Sequence, residues 1–350
     1  MIVTIKKLGS SIAVVASMFL VGAAYAAPES KTKDVNIDNF IRAESDTMLR
    51  ASLETTRNLL GTQLGELGHL REPFPIENQP VIRMNRDTLY SSAVLDLSKP
   101  VSITLADNGG RYQSMHVVNQ DHYMFAKSKP GTYTLTQEEL GSRYVLVAIR
   151  TLANSDDPED IKLANKAQDN VVLSGGVVGG KIDAPNWNQN QLAEIRQLIN
   201  QLSLYGLDSS KGFGSKQNVD PIHYFLGSGS GWGGLPKQEA IYDLGQVKLN
   251  DGTAHKVMMK DVPVDAFWSI TVYNKNGYIS PNSQGVYSFN NLTAKNNKDG
   301  SVTIHFGACD DNRINCLPIS DGWNYAFRYY QPQEELLSGR WSTPEITIKK

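Results

Sequence analysis

The residues best suited to chemistry stand together where the chain enters a predicted strand, in Asn85-Arg86-Asp87-Thr88-Leu89-Tyr90. An arginine at a strand entrance can clamp a carboxylate or phosphate through two parallel N–H groups. His116 and His122 flank Asn119-Gln120-Asp121. On neighbouring strand positions they could supply two metal ligands, or a base with an acidic partner. A third ligand at diagnostic spacing is missing, so no metal site is assigned. Arg86 and Asp87 also read as a buried polar network locking helix to sheet, because buried charges need partners. That reading is favoured for the pair alone. The site expected from composition is one polar pocket on the first sandwich, lined by Arg86, Asp87, Tyr90 and His122. Trp232, in the Gly-rich 227–234 segment, is a further ligand-binding candidate: it can stack on a flat ligand or plug a domain junction.

Other familiar arrangements fail on inspection. Gly175-Gly176-Val177-Val178-Gly179-Gly180-Lys181 has the spacing of a phosphate loop, but Ile182 stands where Ser or Thr should hold magnesium. In Gly227-Ser228-Gly229-Ser230-Gly231 the serines are out of phase for a nucleophile elbow. No catalytic residue and no cofactor is assigned.

These residues need a scaffold, and the pattern supplies one. A helix is predicted over Ile37–Leu60 after a polar, disordered stretch at 27–36. Beyond Val81 the period becomes two. Leu89, Ala93, Leu95 and Leu97 fall on one face, with Thr88, Tyr90, Ser92 and Asp96 on the other. Further strands are predicted at Val101–Leu105, Tyr112–Val118, Tyr123–Ala126, Gly131–Leu135 and Tyr144–Thr151, separated by turn signals such as Asp107-Asn108-Gly109-Gly110. Asp157-Pro158 starts a helix through Ala167. A second helix starts near Asn188, with Leu192, Ile195, Leu198, Ile199 and Leu202 as one apolar stripe ending at Gly206. Leu207–Pro236 reads as a long connecting loop. Strands return at Ile241–Leu244, Lys256–Met259, Trp268–Tyr273, Val286–Phe289, Val302–Phe306 and Trp323–Tyr330.

The fold class expected is therefore mainly β, with two antiparallel sandwich or jelly-roll-like domains, a helical insertion and an N-terminal helix. The divisions are 1–26, a signal peptide; 27–156, helix and first sandwich; 157–239, helices and Gly-rich loop; and 240–350, second β domain. The signal peptide rests on Lys6 and Lys7, the apolar run Leu8–Ala23 and the small residues of Ala24-Tyr25-Ala26, with cleavage between Ala26 and Ala27. The mature chain is then periplasmic, with no integral membrane segment. In that compartment Cys309 and Cys316 form a disulfide across a polar loop. The 34 basic and 36 acidic residues give a net charge of -2 without a long basic block, which argues against nucleic acid as a partner.

The motifs His69-Leu70-Arg71-Glu72-Pro73, Asn78-Gln79-Pro80 and Arg83-Met84-Asn85-Arg86-Asp87-Thr88-Leu89-Tyr90-Ser91-Ser92 resemble the bacterial family called domain of unknown function 1254. Gly110–Met115 and Asn119–Tyr123 extend that match. Asp265–Tyr273 and Arg328-Tyr329-Tyr330-Gln331-Pro332 resemble its usual partner, domain of unknown function 1214. The resemblance implies a sandwich-like N-terminal domain, a small helical segment and a jelly-roll-like C-terminal domain. It implies no reaction and no catalytic residues. The cysteine-flanked loop departs from the family pattern.

Three function classes follow. The first is a periplasmic protein holding an unidentified small molecule between the two β domains, since ligand sites favour domain junctions. The second is a hydrolase-type enzyme using Arg86, Asp87, Tyr90, His116 or His122. The third is an envelope assembly or interaction protein, with which a homo-oligomer would be compatible.

Overall fold

The computed structural model describes residues 32–77, 79, 83–311 and 313–349. The expected signal peptide and its cleavage point lie outside the described residues. The chain begins with α1 (Phe40–Leu60) and continues through β1 (Gly68–His69), β2 (Thr88–Asp96), β3 (Val101–Leu105), β4 (Gln113–Asn119), β5 (Met124–Lys127) and β6 (Gly131–Leu135). After the single turn α2 (Gln137–Leu140) come β7 (Tyr144–Leu152), α3 (Pro158–Asp169) and β8 (Val172–Gly175). A five-stranded sheet, β1-β2-β7-β4-β5, packs on a three-stranded one, β6-β3-β8. Alternation decides which side chains meet between them: Ala93, Leu95, Met115, Val117, Val147 and Ile149 against Val101, Ile103, Leu105 and Leu135. Each fully buried aliphatic contributes about 1.5–3 kcal/mol.

Helices α4 (Gln189–Ser203), α5 (Ser209–Gly212) and α6 (Pro221–Ser230) follow. The 207–236 segment expected as a loop thus carries two helices. Asp220 caps α6 by accepting from the Ile222 and His223 N–H groups, with Pro221 just inside. Its glycines serve packing: a Cβ at Gly229 would stand 2.8 Å from the Ile199 side chain on α4. The 27–36 stretch expected to be disordered also differs in its described part. Lys33 makes a parallel bridge to Trp187, and Val35 is buried, because α4 supplies the Gln191 side chain to the Val35 N–H at 2.8 Å.

The second sandwich contains β9 (Ala240–Gly245), β10 (His255–Met259), β11 (Val264–Tyr273), β12 (Ser288–Asn290), β13 (Val302–Phe306), β14 (Cys316–Leu317) and β15 (Asn324–Pro332), then the turn α7 (Glu334–Leu337) and β16 (Thr347–Ile348). Sheet β12-β11-β15-β9 covers sheet β14-β13-β10-β16. Trp268, Ile270, Phe327 and Tyr329 face Val257, Met259, Ile304, Phe306 and Trp323 across that core. The expected disulfide joins Cys309 and Cys316, with Cα atoms 5.6 Å apart. The architecture is mainly antiparallel β with a helical layer and an N-terminal helix. Among the described residues no helix is long and apolar enough to cross a membrane.

One consequence of this layering positions the site. The five-stranded sheet has a second face, and α1 covers only one end of it. There Leu49 and Leu53 pack on Val94 and Tyr144. The other end is closed by the outer face of the second sandwich, where Tyr112 and Leu152 meet Ala240, Phe267 and Tyr330.

Candidate binding site

Strand register places two matching rows of side chains on these facing sheets. In the first, Tyr90 on β2 lies opposite Arg150 on β7, which lies opposite Ser114 on β4. In the second, Tyr242 on β9 lies opposite Arg328 on β15, which lies opposite Ser269 on β11. Both rows have the parity opposite to their own sandwich core, so both arginines project into the seam between the sandwiches.

Between them lies a cavity of 430 Å³ lined by Phe74, Arg83, Met84, Asn85, Tyr90, Arg150, Tyr242, Leu244, Arg328 and Tyr330. Its lining therefore holds three arginines and no carboxylate. Two acids stand behind it, each engaged elsewhere. Asp87 is buried and accepts from Asn290 Nδ2 at 3.1 Å. Burial raises its pKa against the opposing effect of Arg328 and neighbouring hydroxyls. Glu239 accepts from the Tyr112 hydroxyl at 2.5 Å, and burial raises its pKa too.

Arg328 is committed at both terminal nitrogens. Its guanidinium donates to Thr271 Oγ1 at 2.9 Å, to the Arg83 carbonyl at 2.9 Å and to the Tyr273 hydroxyl at 2.6 Å. Arg150 is not. It is deeply enclosed by protein yet keeps partial accessibility where it lines the cavity. Its Nη1 is buried without a partner, and the guanidinium enters no ion pair among the described residues. Its guanidinium carbon lies 5.6 Å from the centre of the Tyr90 ring. Burial opposes its charge, but the surrounding oxygens of Tyr90, Tyr242, Tyr330 and Tyr112 favour it more, so its pKa is raised and it stays a cation.

The expected single pocket of Arg86, Asp87, Tyr90 and His122 is not what the fold builds. Tyr90 alone lines the cavity. Asp87 sits behind it, buried and bonded to Asn290 on β12 of the second sandwich. Arg86 turns away, donating to the Phe74 carbonyl and lying 5.6 Å from the Tyr287 ring. His122 belongs to a different cluster, under the helices. Its ring packs on Phe213, Tyr224 and Trp232 at centroid distances of 5.9, 6.0 and 5.8 Å, and its Nε2 accepts from the Gly233 N–H at 3.0 Å. Burial holds its pKa at about 3, so the ring is neutral. Trp232 is fixed beside it, donating to Ser45 Oγ at 3.0 Å rather than reaching the seam. His116 shares the sheet face of Arg150; burial, then the charge of Arg150, keeps it neutral as well. No described group of three or more His, Cys, Asp or Glu residues could hold a metal ion.

Arg150, Arg328, Tyr242 and Arg83 line the cavity without having been expected there from the sequence. A signal did exist. Tyr144-Val-Leu-Val-Ala-Ile-Arg150-Thr-Leu152 is apolar on both faces, so a second layer must cover the arginine.

The molecule is thus a two-sandwich β protein with a cation-lined cavity in the seam. Residues 64–175 match the family model described as protein of unknown function DUF1254, and residues 239–334 match that of DUF1214, between them more than half of the chain. The chain belongs to the paired-domain family in which the first precedes the second. Among solved structures it is similar to the VPA0106 protein from Vibrio parahaemolyticus, at 20% identity and a TM-score of 0.67 over 90% of this chain and 100% of that one. That likeness shows the fold. An uncharacterized protein from Burkholderia cenocepacia aligns at 13% identity and a TM-score of 0.49 over 90% of this chain and 95% of that one. No protein with a curated description matches the chain.

Proposed function

We propose that this protein binds a small organic anion in the seam between its two β domains. The observation that carries the reading is Arg150: an enclosed guanidinium that opens on a cavity and makes no direct ion pair among the described residues, Glu239 acting on it only from a distance. Guanidinium groups bind carboxylate and phosphate through paired N–H donors, and such charge-assisted bonds are about twice as strong as neutral ones. The Tyr90 and Tyr242 hydroxyls stand in the same cavity as further donors.

The ligand is met in the periplasm, after removal of residues 1–26. The n-region, apolar run and Ala24-Tyr25-Ala26 site support export, and a disulfide suits an oxidising compartment. Sequencing of the periplasmic form should begin at Ala27.

Binding is tested by thermal shift and titration calorimetry with a panel of carboxylic acids, each paired with its neutral amide. The acids should raise the melting temperature and the amides should not, since stabilisation follows occupancy. Equal response to acid and amide would contradict an anion site.

A further inference from the structure

The same cavity has a second cationic element at its mouth, and its position bears on the shape of the ligand. Resting on the anion-site reading, we infer that the site takes a diacid: a molecule with an acidic group at each end of an apolar spacer. The deep group would meet Arg150. The spacer would lie along Phe74, Met84 and Leu244, which supply the apolar part of the lining. The outer group would meet Arg83.

Three observations single out Arg83. It lines the cavity while being solvent-exposed, whereas Arg150 is enclosed, so the two charges stand at different depths. Its side chain has no hydrogen bond or ion pair among the described residues. Its backbone is also held in an unusual state. At φ 55 it lies in the left-handed region that a long side chain seldom adopts. The conformation is imposed from both sides: the Arg83 N–H donates to the Gly277 carbonyl at 2.8 Å, and its own carbonyl accepts from Arg328 at 2.9 Å. Strain of this kind persists where surrounding structure over-determines it, and it concentrates at ligand clamps. Arg328 here does structural work for the site, fixing the lip that carries Arg83. A monoacid would satisfy Arg150 and leave Arg83 in water; a diacid uses both.

Titration calorimetry of straight-chain dicarboxylates, from three to ten carbons, against monocarboxylates of matched length tests this on the wild type and on Arg83→Gln. That substitution removes the charge and keeps the side-chain length. In the wild type the best dicarboxylate should bind about five- to ten-fold more tightly than its monoacid counterpart, with an optimum inside the series. In Arg83→Gln that preference should fall to about two-fold, the statistical factor for two equivalent ends, because the diacid loses more affinity than the monoacid does. Wild-type affinities equal for mono- and diacids would overturn the diacid inference and leave the anion site standing. A preference that survives Arg83→Gln would overturn the role of Arg83. If no acid of either kind binds the wild type, the anion site itself is refuted, and this inference with it.

Discussion

The two Tyr–Arg–Ser rows that face each other across the seam use the same residue types in opposite ways. Arg328 is buried and surrounded by acceptors: a threonine hydroxyl, a tyrosine hydroxyl, a backbone carbonyl and, further off, Asp87. Arg150, on the equivalent strand of the other sheet, likewise has a carboxylate further off, Glu239, but is enclosed without an acceptor for its Nη1. Satisfied donors hold a fold together, whereas unsatisfied ones cost stability that must be recovered elsewhere. The comparison teaches that buried charge alone does not mark a functional residue. What separates the two arginines is whether the protein itself completes the hydrogen bonding.

The largest effect should come from Arg328. Arg328→Met strands Asp87 and the Tyr273 and Thr271 oxygens, and should lower unfolding free energy by about 3–5 kcal/mol in denaturant titration. A loss below about 1 kcal/mol would erase the distinction between the rows.

Acid should act next, with opposite signs on different buried groups. The His122 pKa is held at about 3 by burial, below its unfolded value near 6.5. The unfolded chain therefore takes up the proton first. Stability contributed by neutral His122 is complete above about pH 6.5 and is lost as pH falls, costing about 2 kcal/mol by pH 5. Asp87 and Glu239, raised by burial, act with the opposite sign, losing their contribution as pH rises. Comparing unfolding midpoints of wild type and His122→Gln between pH 7 and 5 isolates the histidine, and the variant should be the less acid-sensitive. His116 is depressed by burial and then by Arg150. Removing Arg150 should therefore also soften the acid response, while removing Arg328 leaves that part unchanged.

A smaller effect compares the tyrosines. Tyr273 accepts from Arg328 and donates to the Met84 carbonyl at 2.9 Å. Tyr273→Phe should cost about 1–2 kcal/mol of stability. Tyr90→Phe should change stability by less than about 0.5 kcal/mol, and weaken acid binding several-fold instead. The reverse pattern would exchange the roles of the two rows.

Much of this scaffold is legible in the chain. Val101–Leu105, Gly131–Leu135 and Val302–Phe306 alternate cleanly, and those strands have the expected ends. Asp157 caps α3 and Asn188 caps α4 because each side chain accepts from the first-turn N–H groups. The Asp220-Pro221 start of α6 carries the same signature as Asp157-Pro158. It is obscured by the glycines that follow, which pattern alone reads as loop although close helix packing requires them.

The site was less legible for a different reason. Arg86, Asp87 and Tyr90 are adjacent in sequence, but β2 begins at Thr88 and the turn before it sends Arg86 and Asp87 to separate surroundings. His122 finds Phe213, Tyr224 and Trp232 through tertiary packing, which no local spacing encodes. Arg150 and Arg328 lie 178 positions apart and become equivalent only when two sheets face each other.

The central claim, that Arg150 serves a ligand rather than the fold, is tested most directly by Arg150→Met, with unfolding free energy and acid binding measured on the same preparation. Stability should be unchanged or higher by about 1–2 kcal/mol, since a buried charge without a direct ion pair is replaced by an apolar chain. Carboxylate affinity should fall by about a hundred-fold. A stability loss of about 3 kcal/mol or more, or acid binding that persists at wild-type strength, would contradict that claim.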